Sequence, residues 1–192
     1  DGGDAAFTAL GAAMGSTVGT LTTGATENTN GNFASSFNGY FFCHGLAITV
    51  GAGASSASAD VMFLPTTAGR LSFQACAFYT NSSSAQAELT LGFSGGNTNL
   101  YAEFKDCTFR VGSTGGGFRG GVGKFNFMNC TIHASSTAPT ALFTPLVTSR
   151  PFILTSSGCD WSIATAVVTQ ANANAGKCFF NNCTIATPVT GT

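Results

Sequence analysis

The apolar and polar positions of this chain follow neither a helical period nor a simple strand alternation. They follow a phrase of eight residues that recurs five times: LSFQACAF (71–78), AEFKDCTF (102–109), FNFMNCTI (125–132), LTSSGCDW (154–161) and CFFNNCTI (178–185). Each phrase carries one cysteine at the same place: Cys76, Cys107, Cys130, Cys159 and Cys183. Five residues before it stand Leu71, Ala102, Phe125, Leu154 and Cys178, and three before it stand Phe73, Phe104, Phe127, Ser156 and Phe180. Two after it come Phe78, Phe109, Ile132, Trp161 and Ile185. Steps of two keep side chains on one face of a strand, but the step of three onto the cysteine breaks that period, so two strands meet there at a corner. The residue just before the cysteine is Ala75, Asp106, Asn129, Gly158 or Asn182, and four of these five are of types that tolerate a positive φ.

Successive cysteines lie 31, 23, 29 and 24 residues apart, which predicts a steady corner joined by loops of variable length. Strand-like stretches fall between the corners at 60–64, 87–93, 140–147 and 165–170, so each turn carries three short strands. Equivalent strands would stack about 4.8 Å apart in parallel, and the cysteines would form an interior column of small, unpaired apolar groups. A weaker sixth turn begins at Tyr40-Phe41-Phe42-Cys43, with Tyr40 three before Cys43 and Gly45 where an apolar residue is expected.

The phrase F-x-N-C-x-I, as in Phe127 to Ile132 and Phe180 to Ile185, resembles the repeat of the pectate-lyase-like superfamily of right-handed parallel β-helices, over roughly residues 60–188. That superfamily includes many bacteriophage tailspikes and surface proteins. The resemblance implies an all-β solenoid of about five to six coils over 37–192. Residues 1–36, rich in Ala, Gly and Thr, are expected to form an irregular cap or arm.

Composition bears on partners. Charged residues make up 8% of 192, against about 25% in typical soluble domains, and the net charge is −1. The first cation is Arg70, so no basic arm marks a nucleic-acid binder. No apolar run approaches the length of a membrane span, and Asp1 follows no recognisable leader, as in a processed product or a region of something longer. Seven cysteines without a CxxC pair, and only His44 and His133 beside them, predict neither a disulfide framework nor a zinc site. No cofactor is expected.

Motifs of known chemistry lack their context. Gly92 to Gly96 fits G-x-S-x-G without a following helix, Gly115 to Gly120 fits G-x-G-x-x-G without the acidic partner, and Gly123-Lys124 lacks the leading glycine of a phosphate loop. Residues 112–123 therefore read as a loop. Among the acids, Glu103 and Asp106 fall on opposite sides of a bend and Asp160 lies two turns from Asp106, which is poor material for a paired-carboxylate glycosidase. Asn81, Asn129 and Asn182 match glycosylation acceptors, the last two through the corner itself. An outward column of Tyr79, Arg110 and His133, flanked by Asp160, is the candidate ligand-binding site, suited to a sugar or a carboxylate.

The low charge and abundant small residues predict flat faces that pack against other copies. With the resemblance, the expectation is a non-enzymatic structural or decoration protein of a virus-like, bacteriophage-type surface, at the virion or outside the cell. It would work as a homotrimer touching other surface or capsid proteins. A glycan-binding adhesin and a tailspike-type polysaccharide lyase or hydrolase are the alternatives.

Overall fold

The strand–corner–strand unit sets the architecture. The computed structural model describes residues 19–24, 33–52, 61–80, 89–91, 100–111, 116–134, 141–145, 152–164, 166–169, 176–185 and 189–190. Among these there is no helix, every strand pairing is parallel, and the strands form two sheets that do not close into a barrel.

The smaller sheet is β1 (Gly19–Gly24), β3 (Leu46–Ala52), β5 (Ala77–Thr80), β8 (Thr108–Val111) and β11 (Thr131–Ala134), paired in that order, and its last four strands each follow a corner. The larger sheet runs as two ladders joined by the long strands β2 (Phe33–His44) and β4 (Val61–Gln74). In the ladder leading into the corners, β2 and β4 are followed by β7 (Leu100–Lys105), β10 (Gly123–Met128), β13 (Phe152–Ser157) and β15 (Lys177–Asn181). The other continues from β4 through β6 (Leu89–Leu91), β9 (Gly116–Gly120), β12 (Ala141–Pro145), β14 (Ala166–Thr169) and β16 (Val189–Thr190). Each unit thus supplies one strand to each ladder in chain order.

Every expected corner residue has left-handed backbone: Ala75, Asp106, Asn129, Gly158 and Asn182 have φ of 52, 53, 50, 66 and 49°. The turn aims the corner N–H at the next unit's strand. Ala75 donates to the Lys105 carbonyl, Asp106 to Met128, Asn129 to Ser157 and Gly158 to Asn181, at 2.8 to 3.0 Å. The following thiol sits 3.3 to 3.5 Å from the carbonyl two residues behind it in Cys76, Cys107, Cys130, Cys159 and Cys183. A cysteine here is therefore both a small apolar filler and a weak donor to backbone the corner leaves behind.

The earliest unit differs from the sequence expectation. The register sets Cys43 opposite Phe73, and Gly45, with φ 64°, takes the corner and donates to Gln74. Leu46 thereby stands where later units have cysteine. The reason is local: a corner at Cys43 would put Phe42 in left-handed backbone, whereas glycine adopts it freely. Two further differences are plain. Gly116–Gly120 is a strand with Phe118 fully buried, where a loop was expected, and a Cβ on Gly120 would strike the Phe143 ring. Strands also stand at Gly19–Gly24 and from Phe33, inside the segment expected to be irregular.

The core follows from register. Phe73, Phe104 and Phe127 stack face to face, with centroids 5.4 and 5.0 Å apart, and Phe78 stacks on Phe109 at 5.2 Å. Edge contacts tie the two columns together, Phe104 to Phe109 at 5.3 Å among them. Each aromatic pair is worth about 0.5–1.5 kcal/mol beyond its area. At the next unit the pattern changes in both columns at once. Trp161 replaces the smaller residue after the corner, Ser156 replaces the phenylalanine before it, and the indole N–H donates to the buried Ser156 hydroxyl at 2.8 Å. At the far end β15 is paired on one edge only among the described strands, and Cys178, Phe180, Cys183 and Ile185 are only half-buried.

The Ser156 and Trp161 pairing predicts a coupled response. Ser156→Phe should overpack the core and cost about 1–3 kcal/mol, and Trp161→Ile should leave a void of comparable cost. The double variant restores the Phe127/Ile132 arrangement of the preceding unit. In urea titrations it should be more stable than the sum of the single changes by about 1 kcal/mol or more, and strict additivity would contradict the exchange.

Candidate ligand-binding face

The column expected to bind ligand is in register but loosely built. Tyr79 pairs with Arg110 and Arg110 with His133, and the Arg110 guanidinium lies 5.7 Å over the Tyr79 ring. Arg110 and His133 are exposed and Tyr79 half-buried. Asp160 sits two strand positions nearer its corner, bridged to Thr184, and its carboxylate accepts the Ser162 N–H at 2.9 Å. Hydrogen bonds from the Ser162 hydroxyl and backbone hold that carboxyl below the usual carboxylate range. The acid is turned into its own loop.

The other acids are separately engaged. Asp106, exposed at its corner, accepts from the Asn129 side-chain amide at 3.3 Å, while Glu103 accepts the Tyr101 hydroxyl at 3.1 Å. Among the described residues no group of three His, Cys, Asp or Glu is placed to hold a metal ion, and no helix is long and apolar enough to cross a membrane. Residues 92–96 and Asn81 lie outside the described residues.

All seven cysteines are free thiols, five of them buried. Burial pushes Cys43 and Cys178 up to about 11, and the neighbouring Cys107 thiol, with burial, takes Cys130 to about 12. Neutral, screened thiols are poor nucleophiles. The column belongs to the core.

A better-built site lies on the outer face of the strands that lead into the corners. Six positions before the corner cysteine, or before its Leu46 equivalent, the register lines up Tyr40, Arg70, Tyr101, Lys124, Ile153 and Lys177. The first five line a groove of about 750 Å³ together with Gly39, Gly69, Leu100, Val122 and Gly123. Gly123 on its lining has no room for a side chain, since a Cβ there would strike the Leu100 carbonyl. Tyr40 is 83% exposed at one end. The Arg70 guanidinium lies 4.8 Å over the Tyr101 ring, a cation–π contact that narrows its orientations while leaving N–H donors for a ligand. Partial burial and the Glu103 carboxylate together raise the Tyr101 phenol above its usual range, which keeps it a neutral donor.

Two positions further along, the same face shows Phe42, 64% exposed, and Phe179, 56% exposed, with Ser72, Glu103, Asn126 and Thr155 between them in register. Lys105 is also exposed on it, so four of the chain's seven cations share this face with Glu103. No basic run exists in the sequence, because Arg70, Lys124 and Lys177 are separated by 54 and 53 residues. Extending the repeat alignment by one residue before the apolar position would have found them.

No protein-family model, no curated protein and no solved structure matches the chain.

Cys43, Cys130 and Cys178, unlike Cys76, whose thiol the hydrogen bond with Cys107 lowers, give a pH dependence with a definite sign. Unperturbed thiols lose their proton near pH 8.5, whereas the native chain holds those of Cys43, Cys130 and Cys178 to about 11 or 12. The stability they contribute is fully present below about pH 8.5 and is lost as pH rises toward 11, because the unfolded state ionises first. Urea midpoints should fall over that window, and Cys130→Ala should flatten the fall. A midpoint independent of pH there would contradict the burial.

Proposed function

We propose that the three-strand units wind as a right-handed parallel β-helix, and that the outer face carrying the groove is a non-enzymatic glycan-binding surface. The observation that supports this most directly is the Arg70 guanidinium held over Tyr101, with Lys124 beside it and Tyr40 open to solvent, in one groove. Aromatic rings pack against the C–H faces of sugars, and guanidinium and ammonium groups hold carboxylates and hydroxyls. The dispersed engagement of Glu103, Asp106 and Asp160 favours binding over cleavage.

A second reading draws on Phe42 and Phe179, two large apolar side chains exposed near opposite ends of one column. In that reading the chain is a structural or decoration protein of a bacteriophage-type surface, and this face is buried between copies of a homotrimer. Both readings place the protein at an outer surface.

A panel of immobilised neutral and acidic glycans, read by biolayer interferometry on the full chain, tests the choice. Arg70→Ala should weaken the best binder about tenfold, roughly 1.4 kcal/mol, and Tyr79→Ala should leave it unchanged. Loss on Tyr79→Ala alone would move the site to the smaller sheet. A stable trimer in solution that binds no glycan, and that Phe42→Ser dissociates, would favour assembly instead.

A further inference from the structure

Cationic and uncharged side chains alternate without exception along the register row that runs through the groove and one strand beyond it: Tyr40, Arg70, Tyr101, Lys124, Ile153, Lys177. Parallel strands lie about 4.8 Å apart, so a cation recurs about every 9.6 Å and the whole row spans about 24 Å. Arg70, Lys124 and Lys177 stand on alternate rows, with Tyr101 and Ile153 as spacers.

We infer that this row reads a linear acidic polysaccharide laid across the strands, with a carboxylate on every second sugar ring. The inference rests on the glycan-binding reading and adds the charge pattern of the ligand. Two pyranose rings joined end to end cover about two strand spacings, so one ring of each pair presents its carboxylate to a cation while the other lies against Tyr101 or Ile153. Other polyanions fit the spacing poorly. A nucleic-acid strand in a duplex offers a phosphate about every 3.4 Å, and an extended acidic peptide offers one side chain per face about every 6.6 Å. Either would leave most of its charges without a partner. The acid on this face, Glu103, is held by the Tyr101 hydroxyl on the neighbouring column, where it bounds the row on one side.

Calorimetry on the full chain at low salt separates the possibilities. The probes are a hyaluronan octasaccharide, with its carboxylate on alternate rings, an oligogalacturonate of equal length, with one on every ring, a dextran oligosaccharide, polyglutamate and oligo-dT. Hyaluronan should bind most tightly. Lys124→Gln and Lys177→Gln should each weaken it about three- to fivefold, as expected for exposed charge pairs, while Lys105→Gln, off the row, should not. Ile153→Lys fills a gap in the alternation and should shift preference toward oligogalacturonate. Dextran binding as tightly as hyaluronan would overturn the charge pattern and leave glycan binding standing. Oligogalacturonate, polyglutamate or oligo-dT binding at least as well as hyaluronan to the unmodified chain would overturn the spacing argument. Binding of no glycan would remove both.

Discussion

The left-handed corner is the constraint on which the rest of the structure depends. One residue with φ near 50 to 66° turns the chain while keeping the apolar positions on both sides of it inward, and its N–H reaches the next unit's strand. That bond fixes register. A slip of one residue would turn each phenylalanine column to solvent, so the corner bond, the thiol behind it and the aromatic stacks all enforce the same alignment. The low charge of the chain is consistent with this, because most of the recurring phrase is committed to backbone geometry and packing.

Much of this was legible in the sequence, because the corner demands unusual residue types at a fixed place. Ala75, Asp106, Asn129, Gly158 and Asn182 were identified from spacing alone, and all five have the expected backbone angle. The cysteine was a less faithful marker than the residue before it. Cys43 misled because thiol identity is a preference at that position, whereas tolerance of left-handed backbone is a requirement that Phe42 meets poorly and Gly45 meets freely. The glycines of 116–120 read as a loop for a related reason. Composition points to flexibility, but Gly120 is small because the Phe143 ring occupies the space a side chain would take.

The face proposed to bind ligand was harder to see, and the difficulty is physical. Arg70, Lys124 and Lys177 are remote in sequence and become a row only once each strand has a register partner on either side. The column chosen from the sequence, Tyr79, Arg110 and His133, is also in register, but it lies on short strands of the smaller sheet, and its flanking Asp160 is occupied by Ser162. Alignment finds neighbours; a groove also needs its lining. Gly123 lines it where the Leu100 carbonyl leaves no room for a Cβ, which no count of charged or aromatic residues detects.

The alternation along the groove constrains how such a chain can change length. Among the described strands each pairs only with those of adjacent units, so a duplicated unit can be accommodated without disturbing distant pairings. The groove is less permissive. Inserting one unit inside the row makes two cations or two uncharged residues adjacent and throws everything beyond out of phase, whereas inserting two preserves the phase. Even and odd insertions, indistinguishable to the interior, are thus different events for the surface.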